Sequence, residues 1–175
     1  REEGPKNHFI KQGTPTMGGI FFIPIAILIS NIIYFDSDDY KIILILSFLV
    51  MSFMFIGFID DLLSLRKQFN TGLTSNQKLT LQLFISIIFI IICSSNNLIP
   101  NTIQIGNRLF NIGSLIYPLG IFVLLAESNS TNLTDGLDGL LSGCSALIFT
   151  GLAITILINN PGDHNTLGPL CIVMA

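Results

Sequence analysis

The sequence predicts an all-α polytopic membrane helix bundle, with five complete spans, the start of a sixth and a small extracytoplasmic β-hairpin. Three observations carry this expectation. Half of the 175 residues are hydrophobic and 11% are charged, against about 25% charged in an ordinary soluble domain. The mean hydropathy is +0.72. The charges are not spread evenly but lie between long apolar runs, so too few remain to coat a water-facing surface.

A helix needs roughly 20 apolar residues to cross a bilayer, and five runs approach that length. They are Met17 to Phe35, Ile42 to Ile59, Leu79 to Cys93, Leu115 to Ala126 and Leu137 to Ile158; a sixth begins near Leu167. The fourth is short and can lengthen into its polar flank. Pro24 is no objection, because membrane helices tolerate proline. The connections are a polar turn from Asp36 to Lys41, a polar loop from Asp60 to Lys78, a loop from Asn96 to Ser114, a polar segment from Glu127 to Gly136 and a turn from Asn159 to Thr166 with Pro161 and Gly162. Within the third, Gly106-Asn107 between two alternating stretches reads as a β-hairpin. Residues 1–175 are read as a single integral membrane domain. The first residue is Arg1 and the last apolar run stops at Ala175, so the sequence reads as a fragment.

Parity assigns sides. If each run crosses once, the segment before Met17, the loop after Asp60 and the segment after Glu127 share one side. That side carries Arg1, Lys6, Lys11, Arg66, Lys67 and Lys78, whereas the other carries Lys41 and Arg108. The positive-inside rule makes the basic side cytoplasmic. Nucleic acid is excluded as a partner, since no basic patch is interleaved with aromatics. Cys93, Cys144 and Cys171 share no metal-ligand spacing and read as small buried hydrophobes.

Three polar stretches then fall on one membrane face: Lys11-Gln-Gly-Thr-Pro-Thr-Met-Gly-Gly19, Gly57-Phe-Ile-Asp-Asp61, and Asn129-Ser-Thr-Asn-Leu-Thr-Asp-Gly-Leu-Asp-Gly139. Asp60 and Asp61 close an apolar run. Adjacent carboxylates at a helix C-terminus repel each other and oppose the macrodipole. A hard cation such as Mg²⁺ relieves this and commonly binds one or two carboxylates plus substrate phosphates. The plain alternative is a solvated helix end. Asp135 and Asp138 are three apart, which puts both on one helix face; alternatively Thr134 or Asp135 caps the next span. Lys11, with the threonines and glycines after it, suits a phosphate, though a lysine before a span also serves as an anchor. His8 and His164 have no partner spacing, and Glu127 has no evident role. The Asn129 and Asn132 glycosylation patterns are set aside on a cytoplasmic face.

The strings Lys-x-Gly-Thr-Pro-Thr-Met-Gly-Gly at 11–19, Asp60-Asp61, Gly72-Leu-Thr-Ser-Asn-Gln-Lys78 and Asn132-Leu-Thr-Asp-Gly-Leu-Asp-Gly139 together resemble the phospho-N-acetylmuramoyl-pentapeptide-transferase family. This is a branch of the polyprenyl-phosphate N-acetylhexosamine-1-phosphate transferase superfamily, glycosyltransferase family 4. The resemblance implies a ten-span, usually dimeric, bacterial inner-membrane enzyme with its site facing the cytoplasm. Its implied reaction is Mg²⁺-dependent transfer of phospho-N-acetylmuramoyl-pentapeptide from UDP-MurNAc-pentapeptide to undecaprenyl phosphate, giving lipid I and UMP in peptidoglycan synthesis.

Carried over by motif, Asp60 and Asp61 are catalytic carboxylates and candidate metal ligands, and one of them deprotonates or positions the lipid phosphate. Lys11, Thr16, Asn132, Asp135, Gly136, Leu137 and Asp138 line the nucleotide pocket; Lys78 and Asn129 match further polar positions. The family is about twice as long, as multi-span proteins are. Its first span, a later Gly-Asp-x-Gly-Ser segment bearing its metal ligand, and a histidine-rich loop are absent here, and Glu127, Ser130 and Thr131 depart from its pattern. The fragment alone is therefore expected to be inactive and its parent active. Two rivals are a sister N-acetylglucosamine-1-phosphate transferase, which shares the aspartate pair but not Thr-Pro-Thr-Met-Gly-Gly, and an ion-coupled transporter, whose acids belong near the midplane rather than at run ends. A purely structural membrane subunit has no need of three polar stretches on one face.

Overall fold

The computed structural model describes residues 17–38, 40–67, 72–106, 108–134 and 139–159. Five α-helices follow in chain order: α1 (Gly19–Ile33), α2 (Tyr40–Lys67), α3 (Ser75–Ser95), α4 (Ile116–Thr134) and α5 (Leu140–Asn159). A hairpin of β1 (Thr102–Ile105) and β2 (Arg108–Asn111), then a 3₁₀ turn at Gly113–Leu115, joins α3 to α4. Each helix packs on the next in sequence, as short connections require of antiparallel neighbours.

Two helices, α2 and α3, are long and apolar enough to cross a membrane. Helices α1 and α5 are apolar but shorter over their described apolar stretches. Helix α4 ends in the polar string Glu-Ser-Asn-Ser-Thr-Asn-Leu-Thr. The five expected apolar runs thus each become a helix, while length and composition qualify two of them as spans.

Among the described residues the interior mixes polar side chains with apolar ones such as Ile43, Ile56 and Ala153, while large apolar side chains cover the outside. Ser30, Gln82 and Ser86 are buried, whereas Phe21, Phe84, Phe122 and Leu147 lie exposed on the outer surface. A contiguous apolar exterior marks a membrane or partner surface, and polar side chains between membrane helices act as interhelical ties. Asn31, for example, donates to Ser47 Oγ at 3.0 Å across the α1–α2 contact.

Three helix limits differ from the sequence expectation. Helix α2 does not stop at Asp60 but runs on to Lys67. Leu, Arg and Lys are good helix formers, and Arg66 and Lys67 in its last turn favour the negative end of the dipole. At 1.5 Å per residue, Asp60 lies roughly 30 Å from Tyr40 along α2, close to a hydrocarbon thickness, so the last turns extend beyond it. Lys78 belongs to α3 rather than to a loop, because Thr74 and Gln77 form a reciprocal capping box: Gln77 N donates to Thr74 Oγ1 and Thr74 N to Gln77 Oε1. Helix α4 carries residues 127–134 as helix rather than loop.

The expected hairpin forms, with Thr102 opposite Asn111 and Ile105 opposite Arg108. Gly106 takes φ +60 at its tip, a conformation open to glycine at little cost. The cysteine expectation holds in part. Cys93 is buried but Cys144 is exposed, because α5 makes few contacts with the other described helices, chiefly with α4; Cys171 lies outside the described residues.

The α3–α4 contact has a regular antiparallel register. From one end, Lys78 meets Asn132, Gln82 meets Ser128, Ile90 meets Gly120 and Ser94 meets Tyr117. Steps of three or four residues, or twice four, on each helix keep one stripe in contact. Gly120 is small where Ile90 crosses it: an added Cβ would lie 2.9 Å from Ile90 Cδ1.

Candidate active site at one end of the bundle

Adjacent residues on a helix point about 100° apart, and this separates the two aspartates. Asp60 turns toward α3. Its Oδ1 accepts from Leu73 N at 2.8 Å, and its Oδ2 accepts from Lys78 Nζ at 3.2 Å. The loop before α3 is pressed onto Asp60, since a Cβ at Gly72 would collide with the Asp60 carbonyl and carboxylate oxygens and sit 2.7 Å from Ser64 Oγ. Only glycine leaves room for that approach. Asp61 turns the other way and lines a cleft of about 340 Å³.

Lys78 joins three helices. Besides Asp60 on α2, its ammonium donates to Asn132 Oδ1 on α4 at 3.1 Å. These two bonds use two of the three N–H donors of an ammonium, and Lys78 also lines the cleft. The third donor can therefore serve an anion held there. The pair with Asp60 is partly buried, at 18% and 25% side-chain exposure, so it is less screened than a surface ion pair.

One turn along α3, Gln82 is 1% exposed. Its Nε2 donates to Ser128 Oγ at 2.9 Å, and its Oε1 accepts from Asn129 Nδ2 at 3.0 Å. Asn129 also donates to the Leu125 carbonyl at 2.7 Å. Leaving such a buried amide unpaired would cost about 1–3 kcal/mol.

The cleft is walled by Gly19, Ile20 and Ile23 of α1, Phe53, Met54, Gly57 and Asp61 of α2, Lys78 and Gln82 of α3, Ser128, Thr131 and Asn132 of α4 and Leu141 of α5, with Met17 at its rim. All three polar stretches singled out in the sequence thus contribute to it. Met17 takes φ +67, a strained value for a side chain larger than glycine. The wall is apolar on the α1 side and carries amide, hydroxyl, ammonium and carboxylate groups on the other. That combination can hold a molecule with an anionic head and an apolar body.

Among the residues expected to form the site, Asp61, Lys78 and Asn132 meet at the cleft. Asp60 stands behind it as the partner of Lys78, and Asn129 lies one turn below, bonded to Gln82. Lys11, Thr16, Asp135, Gly136, Leu137 and Asp138 lie outside the described residues. The sequence reading missed Gln82 and Ser128, and it quoted Gly72 only within a family string, without a role of its own. A glutamine inside the apolar run Leu-Thr-Leu-Gln-Leu-Phe, four residues from Lys78, was the available signal, since polar groups in such runs are costly and usually placed for a reason.

Whether the residues fit Mg²⁺ follows from the donor set. Among the described residues no group of three His, Cys, Asp or Glu side chains gathers. Asp60 and Asp61 are the carboxylates that could hold such an ion. Asp60 Oδ2 already meets the Lys78 ammonium, which disfavours a second cation there, whereas Asp61 lines the cleft; Mg²⁺ commonly takes one or two carboxylates and completes its shell with water and phosphate.

Fold and cleft together define a helical membrane protein with a charged pocket at one end of its helices. The chain belongs to glycosyl transferase family 4, which matches residues 43–175. Residues 11–23 match the phospho-N-acetylmuramoyl-pentapeptide-transferase signature 1, and those residues include Thr-Pro-Thr-Met-Gly-Gly. The chain is 75% identical over its whole length to 47% of a protein of Prochlorococcus marinus (strain NATL2A) named phospho-N-acetylmuramoyl-pentapeptide-transferase. It is 46% identical to a protein of that name from Synechococcus sp. (strain CC9605) and 44% identical to one from Prochlorococcus marinus (strain MIT 9301), again over 100% of the chain and over 50% and 49% of each relative. The chain spans about half the length of the curated relatives it matches. The family resemblance read from the motifs is thereby borne out.

Proposed function

We propose that the protein containing this chain transfers phospho-N-acetylmuramoyl-pentapeptide from UDP-MurNAc-pentapeptide to undecaprenyl phosphate, releasing UMP and forming lipid I. The observation that carries this reading is the meeting of Asp61, Lys78 and Asn132 at one cleft, in a chain that is 75% identical to a relative bearing that enzyme's name. Inner-membrane location, a cytoplasm-facing site and a homodimer complete the reading on the strength of the family resemblance.

The chemistry suits the geometry. Phosphoryl transfer depends on positioning and charge neutralisation more than on covalent chemistry by the protein. Lys78 supplies a fixed positive charge for a phosphate, and its two bonds to Asp60 and Asn132 prevent it from swinging away. Asp61 would hold Mg²⁺, which when bound neutralises diphosphate charge. Asp60 orients Lys78 and ties the loop leading into α3 to α2 through Leu73. The apolar α1 wall faces the polyprenyl chain, while the nucleotide enters from water. The sites carried over to Lys11, Thr16 and the 135–138 segment would complete the nucleotide side.

The direct test supplies the full-length protein, in membranes containing undecaprenyl phosphate, with UDP-MurNAc-pentapeptide or with UDP-N-acetylglucosamine. Mass analysis of the lipid fraction is expected to show the pentapeptide-bearing diphosphate lipid. Formation of only the N-acetylglucosamine lipid would refute the assignment in favour of the sister enzymes.

A further inference from the structure

Lys78 and Asn132 account for the charged end of the α3–α4 contact, but not for the buried Gln82 amide one turn deeper on the same cleft wall. We propose that Gln82 is a positioning residue: its amide fixes the register of α4 against α3, and so holds Asn132 on the Lys78 ammonium at the cleft. The role deepens the transferase reading and rests on it.

The geometry supports this in three ways. Gln82 and Lys78 are one turn apart on α3, and Ser128 and Asn132 are one turn apart on α4, so the two rungs stack on one stripe. Both ends of the amide are used, Nε2 to Ser128 Oγ and Oε1 to Asn129 Nδ2. A donor and an acceptor facing two successive residues of α4 fix its rotation as well as its height, which a single bond would not do. Finally, the burial of Gln82 keeps water from replacing either bond. Below it Ser86 is also buried, but its hydroxyl returns to the Gln82 carbonyl at 2.8 Å within α3. The rung at Gln82 is thus the inner stop against which the Lys78–Asn132 contact is set.

The test uses the full-length protein in lipid, with Gln82→Met, which keeps the length and volume of the side chain without its hydrogen bonds. Turnover number and nucleotide KM are measured for the wild type, Gln82→Met, Lys78→Met and the double variant, with the exposed Thr80→Ala on the same helix as a control. The expected result for Gln82→Met is a fall in kcat of about tenfold or more with KM within about threefold, and a loss of under about twofold when Lys78 is already Met. A kcat within about twofold of the wild type, a loss confined to KM, or a loss that multiplies in full with Lys78→Met would overturn the proposal. If Gln82→Met does not fold, Ser128→Ala takes its place, with about a threefold fall in kcat expected and an unchanged kcat overturning it. A wild type that produces no lipid product refutes the reaction itself, whereas an active wild type with an equally active Gln82→Met refutes only this role.

Discussion

The Lys78 ammonium lies 3.2 Å from Asp60 Oδ2 and holds the α2 carboxylate away from the cleft that Asp61 faces. The two aspartates therefore have different surroundings although they are adjacent in the chain. If Asp60 acts through Lys78, losing either partner disables the same device. Asp60→Asn and Lys78→Met are each expected to lower kcat by about 10²-fold, in the range for removing one charge-stabilising group. The double variant should fall little further. A double-mutant cycle on turnover checks this; multiplicative losses would separate the two residues.

Gly72→Ala should be more damaging than its size suggests. The added methyl has the Asp60 oxygens and Ser64 Oγ in its way, and two of these are backbone or tightly bonded atoms. Overpacking of this kind costs about 1–3 kcal/mol. A lowered melting midpoint in detergent, with lowered turnover, is the expected outcome; an unchanged midpoint and full activity would show that the loop does not lean on Asp60.

Thr74→Ala removes the capping box at the start of α3. The loss expected from a missing N-cap is about 1 kcal/mol, with Thr74→Ser close to the wild type. Thermal unfolding of the three proteins measures it. Turnover should fall less than for Lys78→Met, because the cap sits a full turn from the ammonium.

At the other end of the α3–α4 stripe, Gly120→Leu forces the helices apart against Ile90. Gly120→Ala is milder, since the nearest atom is the flexible end of a side chain. The expected order of melting midpoints is wild type, then Gly120→Ala, then Gly120→Leu.

How much of this was readable from the sequence depends on which physical signal was used. Apolar runs located all five helices, because burying backbone in lipid demands helix and apolar side chains together. They misplaced the helix ends, since hydropathy marks where lipid stops and not where hydrogen bonding stops. Helix α2 passes Asp61 by six residues and α4 carries Asn129 and Asn132 as helix. The capping box at Thr74 and Gln77 was a legible start signal, and reading it would have placed Lys78 on α3. That Asp60 and Asp61 diverge follows from helix geometry once α2 is known to continue. The Gln82 rung depends on the register between two helices, which one sequence does not specify.

The division of labour between the aspartates is most directly tested by UMP release from UDP-MurNAc-pentapeptide with undecaprenyl phosphate, titrated with Mg²⁺, for full-length wild type, Asp60→Asn and Asp61→Asn. With Asp61 as the carboxylate that meets the metal, Asp61→Asn should raise the Mg²⁺ concentration for half-maximal release by about tenfold or more, while Asp60→Asn lowers the maximum at nearly unchanged Mg²⁺ dependence. The reverse pattern, or equal Mg²⁺ dependence in all three proteins, would contradict the account.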